Sequence, residues 1–121
     1  MNEKAPINIR EAKVIVDGDL PFFEELLGYF VENSFKQVAE IKTAISNKNS
    51  QSVRFFAHQI KSSLKSIGAE KAVETAYRLE QLGMDARLEE AGAVLLQFER
   101  QLQEIQEYYK KGDWKKEFTD I

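Results

Sequence analysis

The sequence predicts an all-α protein, an antiparallel four-helix bundle with a short extra N-terminal helix. Three observations carry that expectation. Apolar residues recur at spacings of three and four nearly throughout, and no alternating strand pattern of any length appears. Two prolines and six glycines are too few for a turn-rich β sandwich. The 121 residues, 43% apolar and 31% charged, amount to one domain's worth of chain with enough apolar surface for a single core.

The elements follow in order. A short apolar stretch, Ile7 to Val16, predicts one or two turns of helix, and Asp17-Gly18-Asp19 breaks the chain after it. Asp19 suits an N-cap, Pro21 a first-turn position, and Glu24 and Glu25 the positive end of a helix. The helix they open runs through Leu27, Phe30, Val38, Ile41 and Ile45, either straight to Ser46 or with a bend near residues 32–34. Phe22, Phe23 and Leu26 read mostly as core, with one of them available to the rim of a site. Asn47-Lys48-Asn49-Ser50 is a turn with a capping residue. A third helix spans about Gln51 to Ile67 and stops at Gly68. A fourth spans Ala69 to Leu82, Gly83-Met84-Asp85 reads as a turn, and the last helix begins near Ala86. Residues 110–121 read as a charged C-terminal tail beyond the last helix, with Trp114 and Phe118 docking back on the body in preference to a partner.

Composition excludes several classes of function. A net charge of −3 argues against nucleic-acid binding as the main task. The absence of cysteine removes disulfides, thiolate metal sites and cysteine nucleophiles, and fits the cytosol. A single histidine leaves a metal site only carboxylates as further ligands, and no Glu-x-x-His pair is present, so no metal is expected. No apolar run approaches the ~20 residues of a membrane span, and no basic head precedes an apolar stretch of signal-peptide length. A cytoplasmic protein without membrane contact is the expectation.

The histidine is the informative residue. At roughly 100° per residue, Val53, Phe56, Ala57, Ile60, Leu64 and Ile67 form one apolar stripe on the third helix. His58 falls about 140° from Val53, on the far side, together with Arg54, Lys61 and Lys65, and Ser62 lies beside it. Three cations repel a divalent ion. A helix face supplies neither the pocket nor the second catalytic group of an acid–base enzyme. An exposed neutral imidazole can instead attack a phosphoryl group. Lys61, one turn on, can offset the charge that arrives, and Ser62 leaves room beside the ring. The bland alternative is an exposed polar residue with no chemistry.

The segment Phe56-Ala57-His58-Gln59-Ile60-Lys61-Ser62-Ser63-Leu64-Lys65-Ser66-Ile67-Gly68-Ala69 resembles the signature of histidine phosphotransfer (HPt) domains of bacterial-type multistep phosphorelays. That signature is Ala-His, two residues, Lys, Gly, small residues, then a hydrophobic-Gly-Ala ending. Ala76 and Leu79-Glu80 also look like the family, as does Asp17-Gly18-Asp19 before the Phe22–Leu27 run. The resemblance covers about residues 10–108, so residues 1–109 would form the HPt bundle. Ser62 departs from the usual glycine and places a hydroxyl beside the site, and Ala72 and Thr75 replace positions commonly Leu, thinning the packing there.

The resemblance implies a phosphorelay carrier and not a complete enzyme. His58 would be the phospho-acceptor and Lys61 its charge partner, with Gln59 and Ser62 flanking the phosphoryl group. Arg54 and Lys65 would steer toward the acidic rim of a receiver. Gly68 would let the next helix turn closely. Phe55, at about 200° on the same wheel, is either a partner contact or packed under the first short helix. The implied partners are receiver domains, of a hybrid sensor histidine kinase and of a response regulator, and the receiver brings the Mg²⁺; the carrier needs no cofactor of its own. A free-standing monomer is expected. The alternative is a four-helix adaptor that binds a receiver or kinase without transferring phosphate.

Overall fold

The computed structural model describes residues 5–121. Six α-helices form, α1 (Ile9–Ile15), α2 (Leu20–Ser46), α3 (Ser50–Ser66), α4 (Glu70–Met84), α5 (Ala91–Lys111) and α6 (Trp114–Asp120), and no strand occurs among the described residues. Helices α2 to α5 pack in a ring, α2 on α3, α3 on α4, α4 on α5 and α5 on α2, and short turns make neighbours antiparallel. The α1 and α6 helices pack on each other and on α2. The expected all-α bundle with a short extra N-terminal helix is what the chain forms.

Local chemistry sets the ends of the helices. Asn8, Asp19 and Asn49 each accept a hydrogen bond from the backbone N–H three residues on, those of Glu11, Phe22 and Ser52, and so start α1, α2 and α3. Helices α1 to α4 share one manner of ending. The residue at the left-handed position is Asp17, Lys48, Gly68 or Ala86, and the following N–H reaches back five residues to a carbonyl of the last turn. At Gly68 the missing side chain also makes room for α1. A Cβ there would stand 3.0 Å from the Asn8 carbonyl oxygen, to which the Asn8 N–H···Gly68 carbonyl bond of 2.9 Å adds a tie. The close turn expected of Gly68 thus serves α1 as well as α4.

Three expectations need correction. Gly83-Met84 is not a turn, because α4 continues through Gly83 to Met84. The last helix does not begin near Ala86. Ala86, at φ 54°, closes α4, its N–H and that of Arg87 bonding the Gly83 and Leu82 carbonyls, and a 3-10 turn at Leu88–Glu90 leads into α5. Alanine gives no sequence signal for a conformation that favours glycine. Finally, residues 110–121 are not a tail beyond the last helix. The α5 helix runs to Lys111, Gly112 turns the chain at φ 77°, and Trp114–Asp120 is helical.

The reason is the buried face of α6. Trp114 and Phe118 dock on the body as expected, one edge-on to Phe23 at 5.4 Å and the other stacked on it at 5.6 Å. Tyr109 stacks on Trp114, and the Trp114 indole N–H donates to the Tyr109 carbonyl at 3.2 Å. Lys13 Nζ donates to the carbonyls of Phe118 and Ile121 at 2.9 and 2.8 Å, capping α6 from α1. Of the α2 opening residues, Phe23 is buried, Leu26 half-buried and Phe22 exposed. Helix α2 is continuous, with Ser34 buried where its apolar pattern thins.

Trp114→Ala should cost about 3–5 kcal/mol, the range for truncating a buried aromatic. Lys115→Ala, which breaks the exposed 2.8 Å pair with Glu24, should leave Tm nearly unchanged. Thermal unfolding of the two variants checks both outcomes, and equal small shifts would mean that α6 contributes little.

Candidate functional site

The α3 helix turns its Val53, Ala57, Ile60 and Leu64 stripe into the core, all 0% exposed. That phase puts His58 outward, with its side chain 61% exposed. Lys61 lies one turn further on the same side of α3. The α4 helix lies alongside and presents Glu80, whose side chain is only 10% exposed, to both of them. Glu80 Oε2 is 2.8 Å from His58 Nδ1, and Oε1 accepts from Lys61 Nζ at 2.6 Å. The Lys61 ammonium also sits 4.9 Å from the centre of the Tyr77 ring, a cation–π contact on the outer side of α4.

Glu80 is the residue of this site that the sequence does not announce. Leu79-Glu80 was visible as a family-like pair, but nothing in the local sequence shows that its carboxylate crosses to α3. Its presence changes the electrostatics expected of the histidine face. Lys61 is not a bare cation beside the imidazole, because its charge is answered by Glu80.

The carboxylate fixes the chemistry of the ring. Burial raises the pKa of Glu80, but the hydrogen bonds from Lys61 and His58 and the charge of Lys61 outweigh it and hold the group below its ordinary 4.5. An ionised carboxylate offers only lone pairs, so His58 Nδ1 carries the proton. In the neutral ring the lone pair then belongs to Nε2. An exposed imidazole is oriented by a buried acid, with the nucleophilic nitrogen on the far side of the ring from that acid.

The other site residues divide into two groups. Arg54, Phe55 and His58 line one open depression of about 450 Å³ with Gln51 and Glu80. Phe55 is 60% exposed and rests edge-on against Phe56, so it is a surface residue and not one packed under α1. Lys65 is not part of this group. It borders a different depression, shared with Glu11, Ile15 and Glu70 near Gly68. Gln59 and Ser62 are exposed next to His58, and the Ser62 hydroxyl donates to the His58 carbonyl at 3.2 Å. The hydroxyl is thereby occupied by backbone. Ala72 and Thr75 are buried in α4, with the Thr75 hydroxyl donating to the Lys71 carbonyl.

Since Glu80 titrates lower in the folded chain than in the unfolded one, its pairing contributes stability that is present above about pH 4.5 and lost as pH falls through the depressed folded value. The stability difference between wild type and Glu80→Gln should therefore be constant near neutrality and shrink on acidification below pH 4.5. Urea unfolding of both proteins across pH reads it, and a difference that stays flat to the acid limit would contradict the ionised bridge.

No helix of the described residues is long and apolar enough to cross a membrane. No curated protein matches the chain. Among solved structures, histidine-containing phosphotransfer protein B (HptB) from Pseudomonas aeruginosa PAO1 shares its fold with a TM-score of 0.83 and 21% identity, over 91% of this chain and 96% of that one. The Hpt domain model matches residues 25–108, a span that contains α3, α4, His58, Lys61 and Glu80. The chain belongs to the Hpt domain family.

Proposed function

We propose that this Hpt chain is a phosphorelay carrier that takes a phosphoryl group from a receiver-domain aspartate onto His58 Nε2 and passes it to the aspartate of a response regulator. The observation that carries the reading is the exposed imidazole whose Nδ1 is held by a buried, ionised Glu80. The Nε2 lone pair attacks phosphorus in line with the aspartyl oxygen. The N–P bond forms as the P–O bond breaks, and the electron pair leaves with the receiver's carboxylate. The ring gains positive charge in this step, and Glu80 on Nδ1 stabilises it as the acid of a catalytic triad stabilises its histidine. Return of the phosphoryl group to a second aspartate is the same step reversed.

His58 is the reacting residue, and Glu80 acts through it as a positioning residue. Lys61 neutralises Glu80 at rest and lies one turn from the arriving phosphoryl group, whose charge it offsets. Gln59 and Ser62 border the phosphoryl site. Arg54 and Phe55 form the near part of the docking surface, and Lys65 acts at a distance, through its charge. The receiver, from a hybrid sensor kinase or a response regulator, supplies the acidic pocket and Mg²⁺. The chain has no nucleotide-binding loop and serves as a carrier, working as a monomer in the cytoplasm, where receivers are phosphorylated.

Incubation with a phosphorylated receiver should label the wild type with an acid-labile, base-stable phosphoryl group, and His58→Gln should abolish the label with helix content unchanged. A wild type that binds the receiver but takes no label would make the chain an adaptor. Label persisting in His58→Gln would move the acceptor elsewhere.

The two lysines should behave differently. Lys65→Glu should slow transfer at low salt and be rescued by high receiver concentration, with an effect that fades as the Debye length falls from ~10 Å at 0.1 M toward ~3 Å at 1 M. Lys61→Gln should stay impaired at saturating receiver, because it leaves Glu80 and the phosphoryl group without their cation. Rapid-mixing transfer kinetics across receiver and salt concentration separates the two, and equal, fully saturable defects would refute a special role for Lys61.

A further inference from the structure

Glu80 reaches His58 across the seam between α3 and α4, and one residue of α4 stands directly against the α3 backbone there. Gly83 is buried in α4, one turn beyond Glu80. A Cβ on Gly83 would stand 2.6 Å from the Arg54 backbone nitrogen, 2.9 Å from the Ser50 carbonyl oxygen and 3.0 Å from the Arg54 Cα. All three are backbone atoms of α3, so no side chain can swing aside to admit it. Any side chain at 83 must push the two helices apart. Arg54 precedes His58 by one turn on α3 as Gly83 follows Glu80 by one turn on α4, so the wedge would act directly beside the His58–Glu80 pair.

We propose that Gly83 is a positioning residue for His58: by omitting a side chain it lets α4 approach α3 closely enough for the Glu80 carboxylate to hold Nδ1 protonated and leave Nε2 as the nucleophile. This deepens the phosphotransfer reading and rests on it. The residue has no conformational reason to be glycine. It lies inside a helix with no left-handed φ, where glycine is a poorer choice than alanine. The helix tolerates it for the sake of the approach. Gly92, in α5, is the contrasting case, since a Cβ there would meet nothing within 4 Å. The separation matters because the bridge has little slack. Both oxygens of Glu80 are engaged, at 2.8 and 2.6 Å, and a shift of an ångström takes both beyond hydrogen-bond length.

The test reads the imidazole directly. In ¹⁵N NMR of the His58 ring, the wild type at neutral pH should show the Nδ1–H tautomer. Gly83→Ala should shift the ring toward the Nε2–H form that a free side chain prefers. The same variant should accept a phosphoryl group about ten- to a hundredfold more slowly at saturating receiver, the loss expected when one charge-assisted hydrogen bond is removed. Glu80→Gln added to Gly83→Ala should then cause little further change, although Glu80→Gln alone disturbs both readouts. Gly92→Ala should leave both as in the wild type. A folded Gly83→Ala protein that keeps the Nδ1–H tautomer and the wild-type rate overturns the proposal. Should that variant not fold, Glu80→Asp decides, since it shortens the reach by one carbon without a wedge. Loss of the Nδ1–H preference there supports a site limited by helix spacing, and its retention overturns it. Labelling of the wild type in parallel keeps the two readings distinct. A wild type that takes no label defeats phosphotransfer, whereas normal labelling with an unmoved tautomer in Gly83→Ala defeats only the role of Gly83.

Discussion

A carboxylate buried between two helices must have both oxygens satisfied, and much of this structure follows from how that is done for Glu80. Left alone in the α3–α4 seam, the charge would cost several kcal/mol. Two side chains one turn apart on α3 answer it, one on each oxygen. That demands that α3 be phased with His58 and Lys61 toward α4, which the Val53–Leu64 stripe secures by occupying the core side. It also demands a close helix pair, which Gly83 on α4 admits against the α3 backbone. The core, the seam and the exposed ring are thus one arrangement. A change in helix phase or spacing would disturb the imidazole and the hydrophobic interior together.

The exposed histidine stands on an open surface. No described residue walls it off from water, and the depression beside it is open, bounded by Arg54, Phe55 and Gln51. A site of this kind prepares one reactant. It sets a tautomer, supplies a counter-charge and leaves clearance around the ring. On the proposed phosphotransfer reading, dehydration of the phosphoryl group and alignment of the leaving oxygen come from the docking receiver. The charge pattern suits that division of labour. Lys61 is locally neutralised, and Arg54 and Lys65 sit apart on α3, giving a weak, spread field that fits the transient docking proposed for a carrier.

Much of this was legible in the sequence because it is local. The wheel of α3 gives the outward phase of His58, and Asp19, Asn49 and Gly68 announce their helix ends by residue type. What was not legible depends on contacts between distant residues. Glu80 looks like one more acidic residue on an amphipathic helix until α3 is laid against it. Gly83 followed by Met84 and Asp85 reads as a turn, and only the backbone of Ser50 and Arg54 shows why a helix would keep a glycine there. Ala86 closes α4 in a conformation that its side chain does not advertise. The charges of residues 110–121 hid two aromatic residues spaced to reach Phe23 together. Phe55 lies at the edge of an apolar stripe, where a residue can go either way, and only the folded chain shows it exposed and edge-on to Phe56.

The docking of α6 carries a consequence for how the molecule holds together over time. A seven-residue helix without a side-chain cap is too short to persist alone in water. It exists because Phe23 lies between its two aromatics and because Lys13 holds its last carbonyls across 105 residues of sequence. Such a contact joins residues far apart in sequence, so its loop entropy must be recovered each time it forms. The first and last helices therefore form one latch, joined by the Lys13 bonds to the end of α6. That latch lies on α1, α2 and α6 and reaches the α3–α4 turn through the Asn8 bonds to Gly68 and Glu70, whereas the Glu80 bridge lies ten residues further along α4. Fraying of α6 therefore uncovers Phe23 and leaves the hold on the imidazole in place, so the seating of the last helix and the setting of the ring are separable properties of one small domain.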